Sequence, residues 1–264
     1  DLLDVGPRLR ADHPGRRRLH RERRRERLLA ELTEAPRFPH QGKRAFQEER
    51  YEAAAEYLEQ AVKLAPNLTD AQVYLANSYA RLFGRSLPTA ENRDFAHRAI
   101  ELFRRVLDRE ADNLPAITGL AHVYGAMNQH AIAREYYLRY AELNPLKPEP
   151  FYSVGAVDWM LVFGDATPLP AEEKTRLIDD GLPHLDVALA LEPNHEGAMV
   201  YKNLLLREKA KFAADPAERS SLIAEADVYF DKAVEIRRSN NQENNLFIGV
   251  LGGVLGGGTV APPP

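Results

Sequence analysis

A period of thirty-four residues constrains this chain more than any other feature. It is cleanest over Leu114–Lys147, LPAITGLAHVYGAMNQHAIAREYYLRYAELNPLK. Numbered from 1 within that stretch, large apolar residues fall at Ile117 (position 4), Leu120 (7), Tyr124 (11) and Tyr137 (24). Small ones fall at Ala121 (8) and Ala133 (20), and Pro145 (32) closes the unit. This spacing predicts two amphipathic helices joined by a short turn. One such pair carries more apolar face than it buries alone, so copies must stack.

Sliding the template along the chain gives five repeats, at about 35–68, 69–113, 114–147, 148–195 and 196–240. The first has Gly42 at position 8, Tyr51 at 17, Ala54 at 20, Leu58 at 24, Ala61 at 27 and Pro66 at 32. Pro36 and Pro39 delay the start of its first helix. The second has Leu75, Ala76 and Tyr79 in its first helix, breaks at Gly84–Thr89, and resumes with Ala96, Ala99, Phe103 and Val106. Asp70 is a plausible cap for it. The fourth has Phe151, Val154 and Gly155, an insertion over 165–173, then Ile178, Gly181, Leu185, Ala188 and Pro193. The fifth has Met199, Ala226, Phe230 and Ala233, with Asn203 where a small residue is expected. The adjacent pairs Glu172-Glu173 and Asp179-Asp180 read as solvated charges at a helix start.

Large residues at 4, 7 and 11, small ones at 8, 20 and 27, an aromatic at 24 and proline at 32 resemble the bacterial tetratricopeptide repeat over roughly residues 35–240. The resemblance implies an all-α, right-handed solenoid of about five helix-turn-helix units, with the first helix of each lining a concave face. It places Lys43, Phe46, Asn77, Arg81, Thr118, His122, Tyr152, Trp159, Met160, Leu204 and Arg207 on that face. Such a mixture of aromatic, basic and amide groups suits an extended peptide. Trp159, the only tryptophan, reads either as an anchor for that peptide or as packing beneath the insertion. The implied function is a non-enzymatic scaffold binding a protein or peptide. Some members clamp a carboxylate with Lys and Asn at positions 5 and 9 of one repeat; Pro39 with Lys43, and Val73 with Asn77, do not reproduce that pair.

Composition agrees with helix. Val-Ile-Thr-rich alternating runs are nearly absent, and there are no cysteines, which excludes disulfides and Cys-ligated zinc. No phosphate-binding glycine loop, HExxH or GxSxG motif occurs, so no catalytic residue, cofactor or metal is expected. His122 and His130 lack the close carboxylate or cysteine that would complete a metal site.

The flanks differ from the body. Residues 16–27 carry eight arginines against Glu22 and Glu26, whereas the chain from residue 28 onward is net −9. Residues 1–34 thus read as a basic arm, helical or disordered, whose one partner beyond protein would be nucleic acid or an anionic membrane. At the other end, the polar run Asn240–Asn245, six glycines within Leu246–Gly258 and Pro262–Pro264 predict a flexible linker followed by a stiff spacer over 241–264. That run is similar to the spacer ahead of the C-terminal domain in TonB-type energy transducers, which implies an envelope-associated alternative. No signal peptide and no apolar run of ~20 residues is visible. The cytoplasm is therefore the default compartment, and the periplasm or envelope follows if the TonB-like reading holds.

Overall fold

The computed structural model describes residues 37–85, 90–164 and 169–255, the last fifteen of these through their backbone only. The basic arm and the proline run lie outside the described residues. Those described form ten helices and no strand. They are α1 Arg37–Gln47, α2 Tyr51–Leu64, α3 Thr69–Arg85, α4 Ala90–Leu107, α5 Leu114–Ala126, α6 His130–Leu143, α7 Pro148–Phe163, α8 Ala171–Leu191, α9 Glu196–Phe212 and α10 Pro216–Leu255. Consecutive helices pair into five hairpins, one per predicted repeat. Helices α1–α4 form one compact unit and α5–α10 a second.

The two repeats without insertions turn their hairpins in the same way. Glu49 and Asn128, both at position 15, take left-handed backbone with φ of 57° and 58°. The following amides close the helix ends: Arg50 N donates to Ala45 O and Glu49 N to Phe46 O, while Gln129 N donates to Tyr124 O and Asn128 N to Gly125 O. This paired closure satisfies carbonyls that a helix end otherwise leaves open. Asparagine tolerates the conformation; glutamate holds it at a cost in strain. At the opposite ends, Asn113 Oδ1 accepts from Ala116 N at 3.1 Å, and His195 Nδ1 accepts from Ala198 N at 3.1 Å.

Most of the extra length in the longer repeats becomes helix rather than loop. Where α5 and α6 have 13 and 14 residues, α3 and α4 have 17 and 18. Of the break expected over Gly84–Thr89, Gly84 and Arg85 still belong to α3, and residues 86–89 lie outside the described residues; glycine weakens an exposed helix turn but does not forbid it. Helix α8 reaches 21 residues with Pro183 inside it. Asp70 sits in the first turn of α3 rather than capping it. Glu172 and Glu173 do occupy the first turn of α8, but Asp179 and Asp180 are not helix-start charges. Asp179 accepts from Lys209 Nζ at 2.7 Å and Asp180 lies 3.4 Å from Arg134 Nη2. Helix α10 also runs on through the glycine-bearing stretch to Leu255, past the boundary expected at Asn240.

Packing within the first and fourth hairpins explains the glycine each has at position 8. A Cβ at Gly42 would lie 2.8 and 3.2 Å from the Leu58 methyls, and one at Gly155 would lie 2.6 and 2.8 Å from those of Leu185. Each glycine lets a branched leucine at position 24 reach the backbone of the first helix. Leu185 belongs to a cluster with Val162, Ile178, Ala188, Ala198 and Leu205 that is closed to solvent.

Polar groups fasten neighbouring repeats at position 11. In the first unit the Tyr79 hydroxyl donates to Glu59, Arg98 Nη2 donates to the same carboxylate at 2.9 Å, and the Arg98 guanidinium lies 4.2 Å from the Tyr79 ring centre. In the second, position 11 is Asp158, fully buried, accepting from Arg134 Nε through Oδ1. Its Oδ2 has no hydrogen-bond partner among the described residues and faces Gly181. The fifth repeat places Lys202 at position 7, buried along its stem, with its ammonium on Asp186 and 2.8 Å from the Tyr229 hydroxyl.

Candidate functional site

The expected groove residues fall on first helices, and the structure gathers them into two separate sets. In the first unit, Phe46 on α1 packs edge-on against Tyr51 and Tyr74, with ring centres 5.3 and 5.5 Å apart. The Lys43 ammonium stands 5.3 Å above the Tyr74 ring. Asn77 turns its amide back to Val73 O at 3.0 Å, and Arg81 is exposed one turn further along α3. Lys43 and Phe46 are thus assembled around Tyr74, while Asn77 and Arg81 take no part in that contact.

The second unit holds the more developed site. A pocket of about 410 Å³ opens between α5 and α7, with α9 at its side. His122, Gly125 and Ala126 come from α5, Tyr137 from α6, Tyr152, Ala156 and Met160 from α7, and Tyr201 from α9. His122 sits 5.9 Å from the Tyr137 ring. Tyr152 lies between His195, at 4.8 Å, and Tyr201, at 5.7 Å. Trp159 forms a shelf beside the pocket, stacked on the exposed Phe163 at 4.8 Å and 5.7 Å from Tyr201. Its packing is with these rings.

Thr118 bonds to Leu114 O within its own helix. Leu204 is half-buried on α9 and does not line the pocket. Arg207 is held by Asn203 Oδ1 at 2.8 Å and by Asp227 of α10, which fixes it to the last hairpin away from the aromatic set.

No Asp, Glu, Lys or Arg lines the aromatic pocket. Its polar groups are hydroxyls and one imidazole. Burial, with Tyr152 nearby, pushes the Tyr137 phenol up to about 12, and burial with Tyr201 nearby raises Tyr152. These phenols stay protonated at neutral pH and serve as hydrogen-bond donors. The arrangement offers flat amphipathic rings, a thioether and hydroxyl donors, suited to holding an uncharged segment by contact area.

Sequence reasoning missed Tyr74 and Tyr201. Both occupy position 6, and each meets an aromatic at position 12 of the preceding repeat, Phe46 and Trp159 respectively. An aromatic at 12 followed in the next repeat by tyrosine at 6 is a pattern present in the sequence. The groove face inferred from the repeat does not include position 6, so the pattern carries no weight until the rings are seen to meet.

Known proteins share this arrangement at the level of fold. Residues 43–68 and 114–145, within the two insertion-free repeats, match the family profile of the tetratricopeptide repeat. The chain carries tetratricopeptide repeats. Other structures of this repeat class superpose on it. A crystal structure of MamA does so with a TM-score of 0.57 at 15% identity, covering 79% of this chain and 94% of that one. MamA 41-end from Desulfovibrio magneticus RS-1 gives 0.57 at 16% identity, covering 78% and 96%. YrrB, a TPR protein with an unusual peptide-binding site, gives 0.53 at 17% identity, covering 76% and 85%. At such identities the likeness is one of fold. No curated protein matches the chain. Among the described residues no helix is long and apolar enough to cross a membrane.

Proposed function

We propose that the chain is a non-enzymatic interaction scaffold that holds an extended peptide segment of a protein partner in the aromatic pocket between α5 and α7. The observation that carries this reading is the convergence of His122, Tyr152, Met160 and Tyr201, from three first helices, on one open pocket free of charged side chains. Peptide recognition by repeat hairpins draws on such aromatic anchors. The peptide-binding site of YrrB, a protein of the same fold, is consistent with that use of the hairpins.

Gly125 gives a clean test. It lines the pocket, and a Cβ there meets nothing within 4 Å, so G125Q adds a side chain at the pocket wall without a clash at its Cβ. Peptide-library selection on the immobilised protein is expected to yield binders that G125Q loses, with thermal melting unchanged. Binders retained in full by G125Q would refute the assignment.

A further inference from the structure

The chemistry of the pocket specifies its ligand more narrowly. The lining presents three tyrosine hydroxyls, of Tyr137, Tyr152 and Tyr201, that carry no hydrogen bond among the described residues. It presents no charge in a chain that is 28% Asp, Glu, Lys and Arg. A matching segment is uncharged, apolar, and rich in acceptors rather than donors. Consecutive prolines meet all three conditions. They lack amide hydrogens, their favoured polyproline II backbone leaves its carbonyls open, and aromatic-lined grooves bind them with little loss of conformational entropy.

The chain carries one such segment. Pro262–Pro264 is its only run of consecutive prolines, and it closes a stretch that holds no charged residue after Glu243. We infer that the pocket between α5 and α7 receives the proline run Ala261–Pro264 of a second copy of this chain. The inference rests on the peptide-binding reading of that same pocket.

The segment of the same copy does not reach. Arg237 is tied to Glu196, its Nε 2.7 Å from Oε1, which fixes that turn of α10 beside the start of α9. Helix α10 then continues eighteen residues to Leu255, about 27 Å at 1.5 Å per residue. The nine residues from Leu255 to Pro264 span at most ~32 Å when fully extended. Tyr201 lies five residues further along α9 from Glu196, about 8 Å more, so the way back is ~35 Å and even the last proline falls short. A tail inserted into the next copy's pocket is a head-to-tail contact, which propagates as a ring or an open string of copies.

Sedimentation velocity on the full chain tests this against two full-length variants. P262A/P263A/P264A removes the proline run, and G125Q adds a side chain at the pocket wall. The full chain is expected to show a sedimentation coefficient that rises with concentration, and each variant alone is expected to show none. An equimolar mixture of the two variants is expected to form pairs and nothing larger, because one supplies only a pocket and the other only a tail. A synthetic Thr259–Pro264 peptide, acetylated and amidated so that it carries no charge, is expected to change the emission of Trp159 saturably in P262A/P263A/P264A, and Y201F to weaken that binding several-fold while leaving the melt unchanged.

The inference is overturned if the full chain stays monomeric up to about 1 mM, the range of weak single-site binding, or if P262A/P263A/P264A associates as the full chain does. Retention of G125Q-sensitive binding to other peptides in those cases would leave the peptide-binding reading standing. Loss of all peptide binding would remove both.

Discussion

Consider Gly155→Ala. The added methyl would lie 2.6 and 2.8 Å from the two Leu185 methyl carbons, where carbon–carbon contacts are favourable at about 3.5–4.0 Å. Relief requires a shift of about 1 Å, and Leu185 is closed to solvent among Val162, Ile178 and Leu205. Overpacking of this kind costs about 1–3 kcal/mol. The exchange of glycine for alanine inside a helix returns up to ~1 kcal/mol, so a net loss of about 1–2 kcal/mol is expected. Leu185→Ala alone leaves a cavity and costs about 2–5 kcal/mol. In the double variant the new methyl occupies part of that cavity, so the two losses combine to less than their sum, with a coupling of about 1 kcal/mol or more. Urea denaturation followed by Trp159 emission reads the second unit directly. A Gly155→Ala protein as stable as the parent, or strictly additive losses, would show that position 8 is small for some reason other than the leucine opposite. Gly42→Ala against Leu58 repeats the experiment in the first unit, where the contacts are 2.8 and 3.2 Å.

Arg134→Ala leaves Asp158 buried without its cation, and a loss of about 3–5 kcal/mol is expected at pH 7. Burial already outweighs Arg134 and holds the Asp158 carboxyl above its ordinary value. Its contribution to stability is therefore complete below about pH 4 and is lost as pH rises through the raised value. Without Arg134 that value rises further, so the variant should lose less at pH 4.5 than at pH 7 in paired urea melts; equal losses would contradict the assignment. Tyr137, at about 12 in the folded chain against ~10 when unfolded, contributes stability that is present below pH 10 and lost between these values. Near-ultraviolet absorbance titration should show late phenolate formation that Tyr137→Phe reduces; ionisation complete by pH 10.5 would refute it.

Much of the fold was legible because stacking repeats impose the same demands at the same positions. Ile117, Leu120, Ala133 and Pro145 sit where their period placed them, and the five hairpins followed. Helix length was not legible. Gly84 and Arg85 look like loop chemistry and yet close α3, because neighbouring helices can be longer when their extra turns pack on each other, and no local signal reports that support. Asp158 was passed over for a similar reason. A carboxylate at a core position reads as a surface residue until Arg134, twenty-four positions earlier, is known to face it. At the site, the aromatics of α7 were found by register, whereas Tyr74 and Tyr201 required knowing that position 6 of one repeat meets position 12 of another.

The Arg134–Asp158 pair has a consequence for how the hairpins find one another. Hairpins with the same apolar code are interchangeable partners, and during folding one of them can dock on the wrong neighbour or on another molecule. At Asp158, docking against any surface that lacks an arginine would strand a charge in an apolar interface. Tyr79 places the same kind of condition on Glu59 and Arg98. These two junctions thereby carry addresses of their own, written in polar groups at a position where the repeat code asks only for bulk.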